Sequence, residues 1–145
     1  MNDHETFEIK WTYHQPDVTG QHTPQMLDNG NILMFVNSRP IGPFASLCEL
    51  NPITKEIVWE YKGEPPSTFN SHIYGSTQRL KNGNTLVSDM GNGGHVFELT
   101  KDRELVWEWY PKTVNPETNL PLYVYRASCY PLSKLQHFID NENSF

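Results

Sequence analysis

Large apolar residues recur at every second position in three stretches, Ile9/Trp11/Tyr13, Ile57/Trp59/Tyr61 and Leu105/Trp107/Trp109. A period of two, built from β-branched and aromatic residues, is that of a strand burying one face. The tryptophans fall at positions 11, 59 and 107, a constant spacing of 48 residues. A strand that returns at such a spacing predicts a repeat architecture, a solenoid or a propeller.

Between the tryptophan strands the pattern repeats in finer detail. Gln21–Leu27 reads as a strand, and Asp28-Asn29-Gly30-Asn31 as a hairpin turn, because Asn-Gly tolerates positive φ. Ile32–Val36 is apolar on both faces, as expected of a strand held between two sheets. Ala45–Leu50 reads as a third strand, and Asn51–Lys55 as the turn into the strand of Trp59. The second unit follows the same plan. Ile73–Leu80 leads through Lys81-Asn82-Gly83-Asn84 to Thr85–Asp89, then come His95–Leu99, the turn at Lys101–Arg103 and the strand of Trp107. Superposing the two Asn-Gly-Asn turns aligns Leu27 with Leu80 and Gln25 with Gln78, and Glu49-Leu50 likewise matches Glu98-Leu99 further on.

The prediction is an all-β chain, a partial β-propeller with two complete four-stranded antiparallel blades and a strand from each flanking blade. Residues 7–13 are the outer strand of a preceding blade, 21–63 and 72–111 the two whole blades, and 122–130 the inner strand of a following one. Residues 131–145 lack a period, with a short helix expected near 132–139. Two blades do not close a ring, so open sheet edges and blade faces invite self-association.

Composition narrows the partners. The chain has 145 residues, is 37% hydrophobic and carries a net charge of −6. No basic cluster offers a surface for a nucleic-acid backbone, and no stretch approaches the ~20 apolar residues of a membrane span. The start, Met1–Thr6, lacks the basic and apolar regions of a secretory signal, which leaves the compartment open. Cys48 and Cys129 form neither a disulfide framework nor a zinc motif, and the six histidines show no metal-ligand spacing. No cofactor and no metal is expected.

Several stretches, taken in order, resemble the arylsulfotransferases, a family of six-bladed propellers. They are Gln21-His22-Thr23 ahead of Asn29-Gly30-Asn31, Gly75–Val87 with its Gln78-Arg79-Leu80, Val96–Thr100 with Glu104–Glu108, and Tyr125-Arg126-Ala127 before Tyr130-Pro131. Quinoprotein-type propellers carry similar tryptophan strands, so the ordered combination, not the tryptophans, bears the resemblance. Cys129 stands where the family pattern has a second arginine. Members of the family are often exported.

The resemblance implies transfer of a sulfuryl group from a phenolic sulfate ester to a phenol, with small phenolic substrates as the partners. Such chemistry needs a neutral imidazole as nucleophile, cationic groups around the sulfuryl oxygens and an acid for the departing phenolate. His22, at the start of an inner strand, matches the family's active-site histidine. Arg126 is assigned to anion clamping, because an arginine in an apolar-aromatic strand is costly unless paired. An ion pair with Glu98 or Glu108 is the competing role. His72 and Arg79 are assigned to substrate binding. His14, His95 and His137 carry no pattern that points to chemistry, and Asp89 reads as a turn-closing residue. A propeller-type binding or scaffold module without chemistry is the alternative function.

Overall fold

The computed structural model describes residues 5–6, 8–14, 18–38, 44–71, 73–91, 94–119 and 123–141. The two Asn-Gly turns set its plan. Gly30 and Gly83 adopt φ of 83° and 90°, and no atom lies near where a Cβ would be, so backbone conformation alone selects glycine there. Each turn is closed by the same pair of bonds. Leu27 N donates to Asn31 O at 2.8 Å and Gly30 N to Leu27 O at 2.9 Å; Leu80 N donates to Asn84 O at 2.8 Å and Gly83 N to Leu80 O at 3.0 Å.

From these turns grow two four-stranded antiparallel sheets in sequential order. The first holds β1 (Thr19–Met26), β2 (Ile32–Ser38), β3 (Ser46–Leu50) and β4 (Ile57–Tyr61). The second holds β5 (Gly75–Arg79), β6 (Thr85–Asp89), β7 (His95–Leu99) and β8 (Leu105–Trp109). The only α-helix among the described residues is α1 (Leu132–Asn141), two residues longer than expected. No described helix is long and apolar enough to cross a membrane.

The sheets pack face to face through one apolar core. Leu33, Phe35, Leu47 and Trp59 come from the first sheet, Val87, Phe97 and Leu99 from the second, and Phe69 from the connection between them. The opposite face of the first sheet forms a second core, where Ile32, Met34, Val36, Cys48 and Leu50 meet Trp11 and Tyr13. β2 is therefore buried on both sides, as its unbroken apolar run predicts.

Two expected strands form no ladder. Within 8–13 only Ile9 makes an isolated bridge, and 123–130 has no strand pairing. A strand needs a neighbour to share its N–H and C=O groups, and among the described residues neither segment pairs with one along its length. Residues 123–130 are held differently. Ala127 N donates to Ser76 Oγ at 3.3 Å, Cys129 N donates to Gln78 Oε1 at 2.8 Å, and Gln78 Nε2 returns a bond to Cys129 O at 3.0 Å. The same stitch joins β1 to β5, where Thr77 N donates to Thr23 Oγ1 at 3.1 Å and Arg79 N to Gln25 Oε1 at 2.7 Å. Side chains at matching repeat positions thus lay three successive segments side by side.

Candidate functional site

The stitched segments form the walls of an open groove of about 290 Å³. Thr23, Pro24 and Gln25 line it from β1, Thr77 and Gln78 from β5, and Arg126 and Tyr130 from the third segment. Thr77 is buried, and its Oγ1 has no hydrogen-bond partner among the described residues. A buried hydroxyl left in that state costs about 1–3 kcal/mol unless a bound group meets it. The groove therefore combines a cation and a tyrosine ring, while the Thr77 hydroxyl is sealed beneath it.

Arg126 is exposed, contrary to its expected burial in an apolar strand, because 123–130 lies on the surface. Among the described residues it pairs with neither Glu98 nor Glu108. His22 stands in β1 opposite Phe35, immediately before a bulge that ends at Gln25. Thr23, inside that bulge, takes a φ of 45°. His22 precedes the groove by one residue but does not line it. The bulge also shifts the comparison of the two units. Counting from the turns places Gly75 level with His22, whereas the ladders place it level with Gln21, opposite Asp89 as Gln21 is opposite Val36. His72 lies outside the described residues.

Arg79 belongs to the joint between the sheets. Its Nη2 donates to Glu49 Oε2 at 2.9 Å, and its guanidinium sits 5.1 Å from the centroid of the Trp59 ring. Asn29 and Asn31 hold the other oxygen of Glu49, through Nδ2 atoms at 3.1 and 2.8 Å. Charge, amide bonds and indole face all serve this one contact. Lys101 O accepts the Trp59 indole N–H at 2.7 Å beside it.

The densest cluster of titratable groups was not legible in the pattern of histidines. His95 opens β7 with its ring stacked on Tyr110, centroids 4.2 Å apart and planes 4° apart, and on Phe97 at 4.6 Å. Its Nε2 lies 3.1 Å from Glu108 Oε2. Burial holds the imidazole below the usual histidine range, partly offset by the bond and charge of Glu108 and by the charge of Asp89. Asp89 is buried, and that burial pushes its carboxyl up against the opposing Gly91 N–H bond and the His95 charge. The bond from Gly91 N to Asp89 Oδ1, 2.8 Å, is the turn closure expected of this residue. A cleft of about 710 Å³ between the sheets opens beside His95, Glu108 and Tyr110, with Lys62 and Arg103 on its rim. The signal for this cluster lay in the repeat. Asp89, His95 and Tyr110 replace Val36, Ser46 and Lys62 at matching positions, and ladder pairing brings them together.

Among the described residues no group of three or more histidine, cysteine or acidic side chains is arranged to hold a metal ion. Comparison with protein-family models, with curated proteins and with solved structures returns no match to this chain.

Proposed function

We propose that the two sheets are neighbouring blades of a β-propeller of the arylsulfotransferase kind, and that the groove across their inner strands receives a small aryl sulfate ester. The observation that carries this reading is the repeated stitch, Thr23 and Gln25 to β5, then Ser76 and Gln78 to residues 127 and 129. Equal side-by-side placement of successive inner segments is what a ring around an axis requires. It also sets the polar groups of Arg126 and Gln78 in one groove with the Tyr130 ring. A sulfate ester offers these groups negative oxygens and offers Tyr130 an aromatic ring.

In this reading a neutral His22 attacks sulfur through one ring nitrogen, the bond from sulfur to the aryl oxygen breaks, and the phenolate takes up the proton that the sulfated ring releases from its other nitrogen. A second phenol then takes the sulfuryl group from the imidazole and gives up its own proton. Arg79 supports the site indirectly, by fixing β5 against the first sheet.

A second reading is a binding module without chemistry, favoured by the position of His22 outside the groove lining. One experiment separates the two. The protein is mixed with p-nitrophenyl sulfate and a phenol acceptor, and p-nitrophenolate release is followed. Turnover lost in both His22→Ala and Arg126→Ala supports transfer. Ester binding without turnover, weakened by Arg126→Ala, supports the binding module. Neither binding nor turnover overturns both.

A further inference from the structure

The two sheets are near copies, yet their corresponding faces are covered unequally. On the first sheet Glu49 and Trp59 are buried under the second. On the second sheet the equivalent Glu98 is half-buried and Trp107 is open: Trp59 is 8% exposed and Trp107 49%. The pairing is the same in both, Glu49 opposite Trp59 and Glu98 opposite Trp107. Only the partner differs.

Glu98 is prepared as Glu49 is. Asn84 Nδ2 and Asn82 Nδ2 both donate to its Oε1, at 2.6 and 3.3 Å. On Glu49 the same two-asparagine grip leaves Oε2 to face Arg79. The stitch identifies the residue that would bring the matching cation to Glu98. Arg79 is the residue whose N–H meets Gln25, and the residue whose N–H meets the equivalent Gln78 is Cys129. A neutral thiol therefore stands in the arginine position, and among the described residues no guanidinium meets the carboxylate or the indole face.

We propose that the Glu98–Trp107 face is a docking surface for a β-sheet partner that brings an arginine onto Glu98 and a backbone carbonyl to the Trp107 indole. Charge complementarity and the template within the chain specify this occupant. A second copy of the chain is a poor match. Its first sheet has Met26 where the second has Arg79, and the carbonyl of Pro52, the counterpart of Lys101, already accepts the Trp11 indole N–H at 3.1 Å. The proposal stands on the repeat geometry and is independent of sulfuryl transfer.

The test uses the whole chain and a cyclised hairpin peptide with the sequence of residues 75–89, which carries Arg79. The readout is the NMR resonance of the Trp107 indole N–H, identified by its loss in Trp107→Phe. The peptide shifts this resonance, a peptide with glutamine in place of Arg79 binds roughly tenfold more weakly, and Glu98→Gln in the protein has the same effect. Cys129→Arg fills the cradle from within, raises the melting temperature and blocks the peptide. Absence of any shift, a shift indifferent to Glu98, or a Cys129→Arg protein no more stable than the parent overturns the proposal. So does a stable homodimer that Trp107→Glu dissociates, since that makes a second copy the occupant.

Discussion

The ring of Phe35 occupies the space that a side chain on Gly75 would need. A Cβ at residue 75 would overlap Phe35 outright, so the strand that opens the second sheet lies directly on the central aromatic ring of the first. Phe35 is fully buried, and its ring meets Phe69 edge-on at 5.3 Å. Gly75→Ala should therefore overpack the joint between the sheets and cost about 1–3 kcal/mol. Gly83→Ala, in an open turn with φ of 90°, should cost only the backbone strain, about 1 kcal/mol. Urea unfolding of the two variants beside the parent checks the order.

The ion pair of Arg79 with Glu49 should matter more than its counterpart position. Its side chains are only 15% and 11% exposed, so removing one partner leaves a largely desolvated charge. Arg79→Met should destabilise by about 2–4 kcal/mol, and Glu49→Gln by a similar amount. The double variant should recover part of the loss, on the order of 1–3 kcal/mol, as expected for residues in contact. Glu98→Gln, with no arginine opposite, should cost under about 1 kcal/mol. Denaturant midpoints for the four proteins decide this.

Much of this arrangement is legible in the sequence. The alternation around Trp59 and Trp107, the Asn-Gly turns and the double-faced apolar run of 32–36 have local physical causes, and each is found as an element with the expected neighbours. Residues 8–13 and 123–130 have the same strand-like composition, but a ladder depends on a partner strand, which composition does not encode. Arg126 was expected to be buried for the same reason, and it is exposed. The cluster at His95 was missed because Asp89, His95 and Glu108 come from three strands, and only register gathers them. Comparing the units position by position would have shown that the second departs from the first at those sites.

His95 gives the stability a pH dependence whose sign follows from its environment. The folded state favours the neutral imidazole, so the unfolded chain takes up a proton more readily. That contribution is fully present above the ordinary value of 6.5 and is lost as pH falls through the lower value in the fold. His95→Gln should flatten the melting temperature profile below pH 6.5. Asp89 acts in the opposite sense, because its carboxyl is raised. Its contribution is present below 3.8 and is lost as pH rises through the folded value, so Asp89→Asn should remove that decline. Thermal melts across the acid range, on each variant and the parent, check both signs.

Gln78 should control the third segment. Its side-chain amide makes two bonds to the Cys129 backbone, the donor and acceptor pair a strand would otherwise supply. Gln78→Leu should free residues 123–130 while leaving the two sheets folded, at a cost of about 1–2 kcal/mol. Limited proteolysis should then cut near Arg126 several times faster than in the parent, with no change in the exchange protection of β6.

The most direct test of the whole arrangement is hydrogen exchange at the tryptophan indoles. Trp59 donates to Lys101 O and Trp11 to Pro52 O, so both indole N–H groups should exchange slowly. Trp107, at the matching place but uncovered, should exchange at a rate near that of a free indole. Equal protection of Trp59 and Trp107, or free exchange at Trp59, would contradict an arrangement in which the second sheet covers the first and is itself left open.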